Sequence, residues 1–349
     1  MTFALVLYAP NVHTGGGLVL LKGLMASAKS SEELILFLDV RAYGDLKPPG
    51  NSKVIWINAT VASRLAGEFA LRRVAMQGTT VLCFHGLPPL LPNAARIVVF
   101  QQNRNLLGLN LLNQFALKTR LRLIFERFVS RVLRHRVAEY IVQTPSMQRA
   151  VLQWYGARGP VPPAVRILPF VTDLYTSPDN NVSAANWDFV YVADGEAHKN
   201  HRTLFAAWQL LAQDGLHPSL ALTLSPRDGA LKRKLEALVV ESGLRIKDLG
   251  QLPHENVLFL YATARAMIFP STSESFGLPL IEATHAGLPI LASELDYVRD
   301  VCSPVQTFDP TSPISIARAV KRFLAVPEPA LQLLSPQEFW QELSGATSE

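Results

Sequence analysis

The sequence predicts an α/β protein made of two doubly wound, Rossmann-like domains that face a cleft. Three observations lead there. Short apolar runs alternate with helix-like segments along nearly the whole chain, the pattern of parallel sheets covered by helices. The 349 residues suffice for two ordinary domains, and 49% hydrophobic against 17% charged residues gives each a core to bury. The alternation breaks once, over roughly residues 172–186, in a stretch rich in Asp, Asn, Ser and Pro that reads as an interdomain linker.

In the first domain, residues 1–172, the expected strands are Phe3–Tyr8, Leu34–Leu38, Val54–Ile57, Thr80–Phe84, Ile97–Phe100, Tyr140–Val142 and Val165–Leu168. Thr144-Pro145 supplies a cap and a first-turn proline for a helix that Gly156 ends. In the second domain, residues 187–330, the strands are Phe189–Val192, Leu220–Leu224, Ala266–Phe269 and Pro289–Ala292. Ser335-Pro336-Gln337-Glu338 is a capping box opening a short helical tail over residues 331–349.

Composition narrows the function. No apolar run is long enough to span a bilayer. The N-terminus lacks a basic region and a small-residue cleavage site, so it reads as a strand rather than a secretion signal. Cys83 and Cys302 sit in separate apolar stretches and form no metal or redox spacing, as expected of buried thiols in a reducing compartment. Net charge is +5 but uneven: residues 1–175 hold 20 Lys/Arg against 8 Asp/Glu, the remainder 13 against 20. Such asymmetry points to a basic face meeting an anionic surface or substrate.

That face has a candidate. Residues 118–136 carry seven Lys/Arg among Leu, Ile, Phe and Val at helical spacing, with Glu126 the one acid. A basic amphipathic helix can lie on an anionic membrane, with Arg127, Arg131 and Arg134 among its lipid-facing cations. The alternative is a core-packed helix with a solvated basic face. Nucleic acid is not expected as a partner, because the stretch lacks the aromatic platforms of single-strand binders.

The ends of the strands carry the chemistry, since ligands of doubly wound sheets gather there. Gly15-Gly16-Gly17 follow the first strand and precede a helix, so their backbone can approach a phosphate; a tight turn alone would also need glycine. His85 follows the strand 80–84 and can donate to sugar hydroxyls, with His13 in a similar place. Gln101, Gln102, Asn103 and Arg104 follow the next strand, near a possible acceptor. Lys199 follows the strand 189–192 and would present a point charge to a diphosphate.

Residues 270–289 say most. The run Ala266–Phe269 breaks at Pro270 into a polar loop, and Gly277-Leu278-Pro279 opens a helix with Pro279 at its first position. The free amides before it and the positive helix end make an anion and hydroxyl site. Glu274 and Glu282 bracket that site, seven residues intervening. A ligand carrying both phosphate and sugar hydroxyls fits: a nucleotide-sugar.

These residues resemble the retaining family 4 glycosyltransferases of the GT-B fold, most strongly over 249–301. Phe269-Pro270-Ser271, Glu274-Ser275-Phe276-Gly277-Leu278-Pro279 and Glu282-Ala283 match the family's E-x7-E signature. The resemblance implies that Glu274 sits by the donor sugar, Glu282 binds the ribose, and the amides of Phe276, Gly277 and Leu278 approach sugar and diphosphate. The family's Gly-Arg-x-x-x-x-Lys clamp is half present. Lys199 stands, Val192-Ala193-Asp194-Gly195 occupies the arginine's place, and Arg227 or Lys232 is expected to compensate.

The expected activity is transfer of a sugar, with retention, from a nucleotide-diphosphate donor to a glycan or lipid-linked acceptor. The expected catalytic residues are Glu274 and His85. No cofactor and no metal is expected, as no Asp-x-Asp pair occurs. The setting implied is polysaccharide or lipopolysaccharide assembly, in the cytoplasm and peripheral on the inner face of the membrane. Two readings stay open beside it: a GT-B nucleotide-sugar epimerase, and a non-catalytic scaffold with a degenerate donor site.

Overall fold

A computed structural model describes residues 5–28, 34–108, 112, 115, 117–156, 162–171 and 185–326. In the first half, β1 (Leu5–Ala9), α1 (Gly15–Ala26), β2 (Leu34–Asp39), β3 (Lys53–Ile57) and α2 (Val61–Val74) lead to β4 (Thr80–Cys83) and β5 (Arg96–Phe100). Then come α3 (Leu117–Val132), β6 (Val137–Val142), α4 (Pro145–Gly156) and β7 (Val165–Ile167). The strands form one parallel sheet in the order β3-β2-β1-β4-β5-β6-β7. β1 reads as an unbroken apolar run because both its faces are covered; Val6, Tyr8 and Phe37 join one core cluster, Leu7, Leu36 and Leu38 the other.

The second half repeats the plan with β8 (Trp187–Tyr191), α5 (His201–Gln213), β9 (Leu220–Leu222), α6 (Gly229–Ser242) and β10 (Ile246–Asp248). It continues with α7 (His254–Ala262), β11 (Ala264–Phe269), α8 (Leu278–His285), β12 (Ile290–Ser293), α9 (Asp296–Arg299), β13 (Gln306–Phe308) and α10 (Pro313–Phe323). Its parallel order is β10-β9-β8-β11-β12-β13. The α/β expectation of two doubly wound sheets therefore holds. Each sheet reverses its winding direction once, between β1 and β4 and between β8 and β11. A crevice opens at such reversals, outside the strands' C-terminal ends.

Two strands escape the sequence reading. β10 and β13 are three-residue edge strands with polar residues, Ile246-Lys247-Asp248 and Gln306-Thr307-Phe308, too short to show an apolar run. The helix at 145–156 forms as expected, with the Thr144 hydroxyl accepting from the Met147 amide at 3.2 Å. The start of the first strand at Phe3, most of the expected linker and the tail with its Ser335 capping box lie outside the described residues.

The two sheets are joined at the floor of the cleft. The Arg104 amide donates to Ser275 Oγ at 3.0 Å, and the Ser146 amide donates to Asp300 Oδ2 at 2.8 Å. Asp300 thus serves the first turn of α4 from the other domain, where free amides and the positive helix end favour a carboxylate. Arg149 adds a 2.8 Å bond to Asp296.

Candidate active site

Between the domains lies a cleft of about 1160 Å³. Its walls include the loops that leave β1, β4, β8 and β11, the four strands at the two reversals. Gly15, Gly16, Gly17, His85, Lys199, Glu274, Phe276, Gly277, Leu278 and Glu282 all line it. Residues scattered over most of the sequence are thereby brought to one place.

On the second domain's wall, Lys199 Nζ donates to Glu274 Oε1 at 2.8 Å, and Ser271 Oγ donates to the same oxygen at 2.7 Å. The loops that hold them are laced together. Asn200, in the left-handed region at φ 62°, donates through Nδ2 to the carbonyls of Pro270 and Pro310 at 3.0 and 2.7 Å. The His198 carbonyl accepts from the Thr272 amide at 2.8 Å, and Tyr191 OH donates to the Lys199 carbonyl at 2.7 Å. Burial alone would push the Glu274 carboxyl up and the Lys199 ammonium down. The pairing outweighs it: Lys199, His198 and Ser271 hold Glu274 below its ordinary range, and Glu274 holds Lys199 above its own. Both stay charged. Lys199 therefore meets the cleft already paired, not as the isolated cation the sequence suggests.

The helix after this loop opens at Leu278, with Gly277 as its cap residue at φ 74°, so Pro279 sits one position later than expected. Proline fits there equally, since the second amide also lacks an intrahelical acceptor. Glu282, one turn in, is buried and held on both oxygens by α7. His254 Nε2 lies 3.2 Å from Oε1, and Tyr261 OH donates to Oε2 at 3.2 Å. The bond to Glu282, opposed in part by burial, raises the His254 imidazole above its ordinary value.

Facing this, α1 begins at Gly15, so the amides of Gly15–Gly17 form its first turn and have no intrahelical acceptors. Gly16 approaches the second domain so closely that a Cβ there would stand 2.9 Å from Leu278 Cδ1. The two helix N-termini, of α1 and α8, converge. His85 Nδ1 lies 3.3 Å from the Tyr8 carbonyl, which can only accept, so its proton is spent there. Burial lowers the ring to about 4, keeping it neutral. Nε2 is then an acceptor, so His85 can accept a hydrogen bond from a hydroxyl, whereas the sequence reading has it donating one. Gln102, Asn103 and Arg104 line the cleft, but Gln101 turns inward, donating to the Asn103 carbonyl at 2.9 Å.

The basic segment is a helix, α3, with its faces exchanged relative to expectation. Arg127 donates to the Asn105 carbonyl at 2.9 Å. Arg131 stacks on Trp154 at 4.0 Å and bonds its carbonyl, and Arg134 bonds the Tyr155 carbonyl. Trp154 and Tyr155 end α4, where unpaired carbonyls and the negative helix end attract cations. These three arginines are structural, not lipid-facing. What α3 exposes is apolar: Leu117, Leu121, Ile124, Phe125, Phe128 and Val132, with Phe125 and Phe128 each 64% accessible. Lys118, Arg120 and Arg122 are exposed beside them. Val61, Leu65 and Phe69 make a second exposed apolar row on α2.

Several cleft residues went unread in the sequence. His254, Arg64, Arg122 and Glu126 line it. His254 follows β10, the short strand that was missed, so its place at a strand end was hidden. Arg64 and Arg122 look like ordinary helix-surface cations. Arg227 and Lys232 do not line the cleft; Lys232 is tied to Asp248 at 2.7 Å, and Arg227 is exposed beside Asp228, which accepts from the Gly195 amide at 2.8 Å. Among the described residues no cluster of His, Cys, Asp and Glu could hold a metal ion, and no helix is long and apolar enough to cross a membrane.

Residues 177–334 match the family of glycosyl transferases group 1. The chain is 37% identical over 115 residues to O-antigen chain mannosyltransferase B of Escherichia coli, a match covering 32% of this chain and 30% of that protein. It thus spans under a third of that relative's length. The fold resembles sucrose-phosphate synthase from Thermosynechococcus elongatus, with TM-score 0.65, 18% identity and coverage of 93% of this chain and 90% of that one. Anabaena HepE in complex with UDP and glucose gives TM-score 0.63 at 16% identity, covering 92% and 89%. The fold is GT-B.

Proposed function

We propose that this chain, whose second domain carries the glycosyl transferases group 1 match, transfers a sugar from a nucleotide-diphosphate donor to a glycan or lipid-linked acceptor. The observation that carries the reading is the meeting of the Lys199–Glu274 pair, Glu282 and two helix N-termini at one cleft. Glu282 accepts from the ribose hydroxyls, pre-oriented by His254 and Tyr261. The amides of Phe276, Gly277 and Leu278 and those of Gly15–Gly17 surround the diphosphate. Glu274 lies at the sugar end with Lys199 between it and the phosphates. As the glycosidic bond breaks, negative charge grows on the leaving diphosphate, and fixed amide dipoles and Lys199 stabilise that charge without reorganising.

Retention of configuration and independence of metal belong to the same proposal. They rest on the family resemblance and on the protein groups already aimed at the phosphates. The likeness to an O-antigen mannosyltransferase supports surface polysaccharide or lipopolysaccharide assembly and makes mannose the first sugar to try. The exposed apolar faces of α2 and α3, flanked by Lys118 and Arg120, fit a peripheral site on an anionic inner leaflet. The test is a thermal-shift screen against GDP-, UDP-, ADP- and dTDP-sugars, since selective binding raises stability. Stabilisation by none of them would sink the proposal.

A further inference from the structure

The cleft is electrically lopsided. Among the described residues, its second-domain wall carries Asp194, Glu196, Glu274 and Glu282, against Lys199 and the His254 imidazole bonded to Glu282. That lysine is 2.8 Å from Glu274, so much of its charge is already answered. A diphosphate adds further negative charge, and like charges a few ångströms apart repel unless a cation or water answers them. The cations that could offset this lie on the opposite wall.

Two of those are closely paired with carboxylates. Lys22 is 3.1 Å from Asp45, and Arg41 grips both oxygens of the buried Asp39 at 2.9 and 2.6 Å. Arg64 is held by the neutral Asn11 beside His85, and Arg104 is half-buried at the cleft floor, in the field of Asp296 and Asp300. Arg122 differs. It lines the cleft from α3 with 63% of its side chain accessible, and its Nε is a loose 3.9 Å from Glu126. Its charge is felt across the cleft at Glu196, where that of Lys199 is felt too.

Resting on the donor reading above, we propose that Arg122 is the second cation of the diphosphate site, supplied by the first domain and facing Lys199 across the cleft. A diphosphate between them is held from both walls. Its binding then depends on the two domains' approach, and the charge deficit of the second wall is met without an arginine in the segment 192–199. Arg122 is a binding residue here, and no bond is made or broken by it.

The test uses the full chain and calorimetry with UDP, GDP, ADP and dTDP, each with its monophosphate. Arg122→Gln is expected to weaken the nucleoside diphosphate that binds the wild type by roughly ten-fold or more, as for loss of a hydrogen bond to a charged group. The monophosphate should change much less, so the preference for the diphosphate shrinks. Arg122→Lys should recover part of it. Thermal melting near wild type would show that this exposed residue is not needed for folding. Diphosphate affinity within two-fold of wild type for Arg122→Gln, while Glu282→Ala loses it, would overturn the role of Arg122 and leave the donor site standing. Binding of none of the four by the wild type would overturn both.

Discussion

Lys199 and Glu274 form a 2.8 Å ion pair that ties the loop after β8 to the loop after β11. Both side chains are largely shielded, at 16% and 11% accessibility. Such a pair costs desolvation to make, but removing one member is worse, because the other is left buried and unanswered. A catalytic role for Glu274 and a structural one are therefore superimposed, and the choice of substitution decides which is read.

Glu274→Gln keeps an acceptor for Lys199 and Ser271 and should fold, while transfer to the native acceptor falls by about a hundred-fold. Glu274→Ala should cost about 3–5 kcal/mol in denaturant unfolding. Because the Glu274 pKa is depressed in the fold, its stabilisation is present above the unfolded value near 4.5 and is lost as pH falls through the lower folded value. The stability gap between wild type and Glu274→Gln should accordingly narrow in acid. Wild-type turnover in Glu274→Gln would leave this acid a purely structural part.

Glu282→Ala should weaken nucleotide-sugar binding by about 1.5–3 kcal/mol, the worth of charge-assisted hydrogen bonds to the ribose. Calorimetry on a folded variant checks it, and unchanged affinity removes Glu282 from the donor site.

His254 should titrate above an ordinary histidine, and Glu282→Gln should bring it down, as read by imidazole proton shifts. The sign for stability follows from the raised pKa. The pair's contribution is complete below the unfolded value near 6.5 and disappears as pH rises through the higher folded value. An imidazole insensitive to Glu282→Gln would mean that the 3.2 Å contact carries no charge.

Gly277→Ala should destabilise by about 1–2 kcal/mol, since a Cβ is disfavoured in the left-handed region. Here it would also stand 3.2 Å from Leu280 Cδ1. Donor affinity should drop further than stability, because the amides of 276–278 turn with that residue. Equal donor affinity in a folded variant would move the diphosphate away from α8.

The sequence made much of this legible, because long apolar strands and the loops beyond them follow from local chemistry. All the first-domain strands and the four loops at the sheet reversals could be read that way. Lys199 and Glu274 could each be named, but not their bond, since nothing local brings together residues 75 apart. His254 was hidden behind a three-residue edge strand. The orientation of α3 failed for a physical reason. Arginine at helical spacing is normally solvated, yet here the ending carbonyls of α4 draw Arg131 and Arg134 inward, and the apolar side is left facing out.

That reversal decides how membrane contact should be tested. If α3 lies on an anionic leaflet, its grip comes from the buried apolar row plus the adjacent cations, each of which adds on the order of 1 kcal/mol and is screened by salt. Phe125→Ser with Phe128→Ser should release the protein from anionic liposomes even at low salt. Lys118→Gln with Arg120→Gln should weaken binding in a way that high salt mimics in the wild type. Both variants should melt near wild type, as these side chains are largely exposed. Arg131→Gln, by contrast, should lower stability through its lost bond to the end of α4 without a selective effect on lipid. Co-sedimentation of the double serine variant at wild-type strength would take the contact away from α3 and leave its apolar row to some other partner.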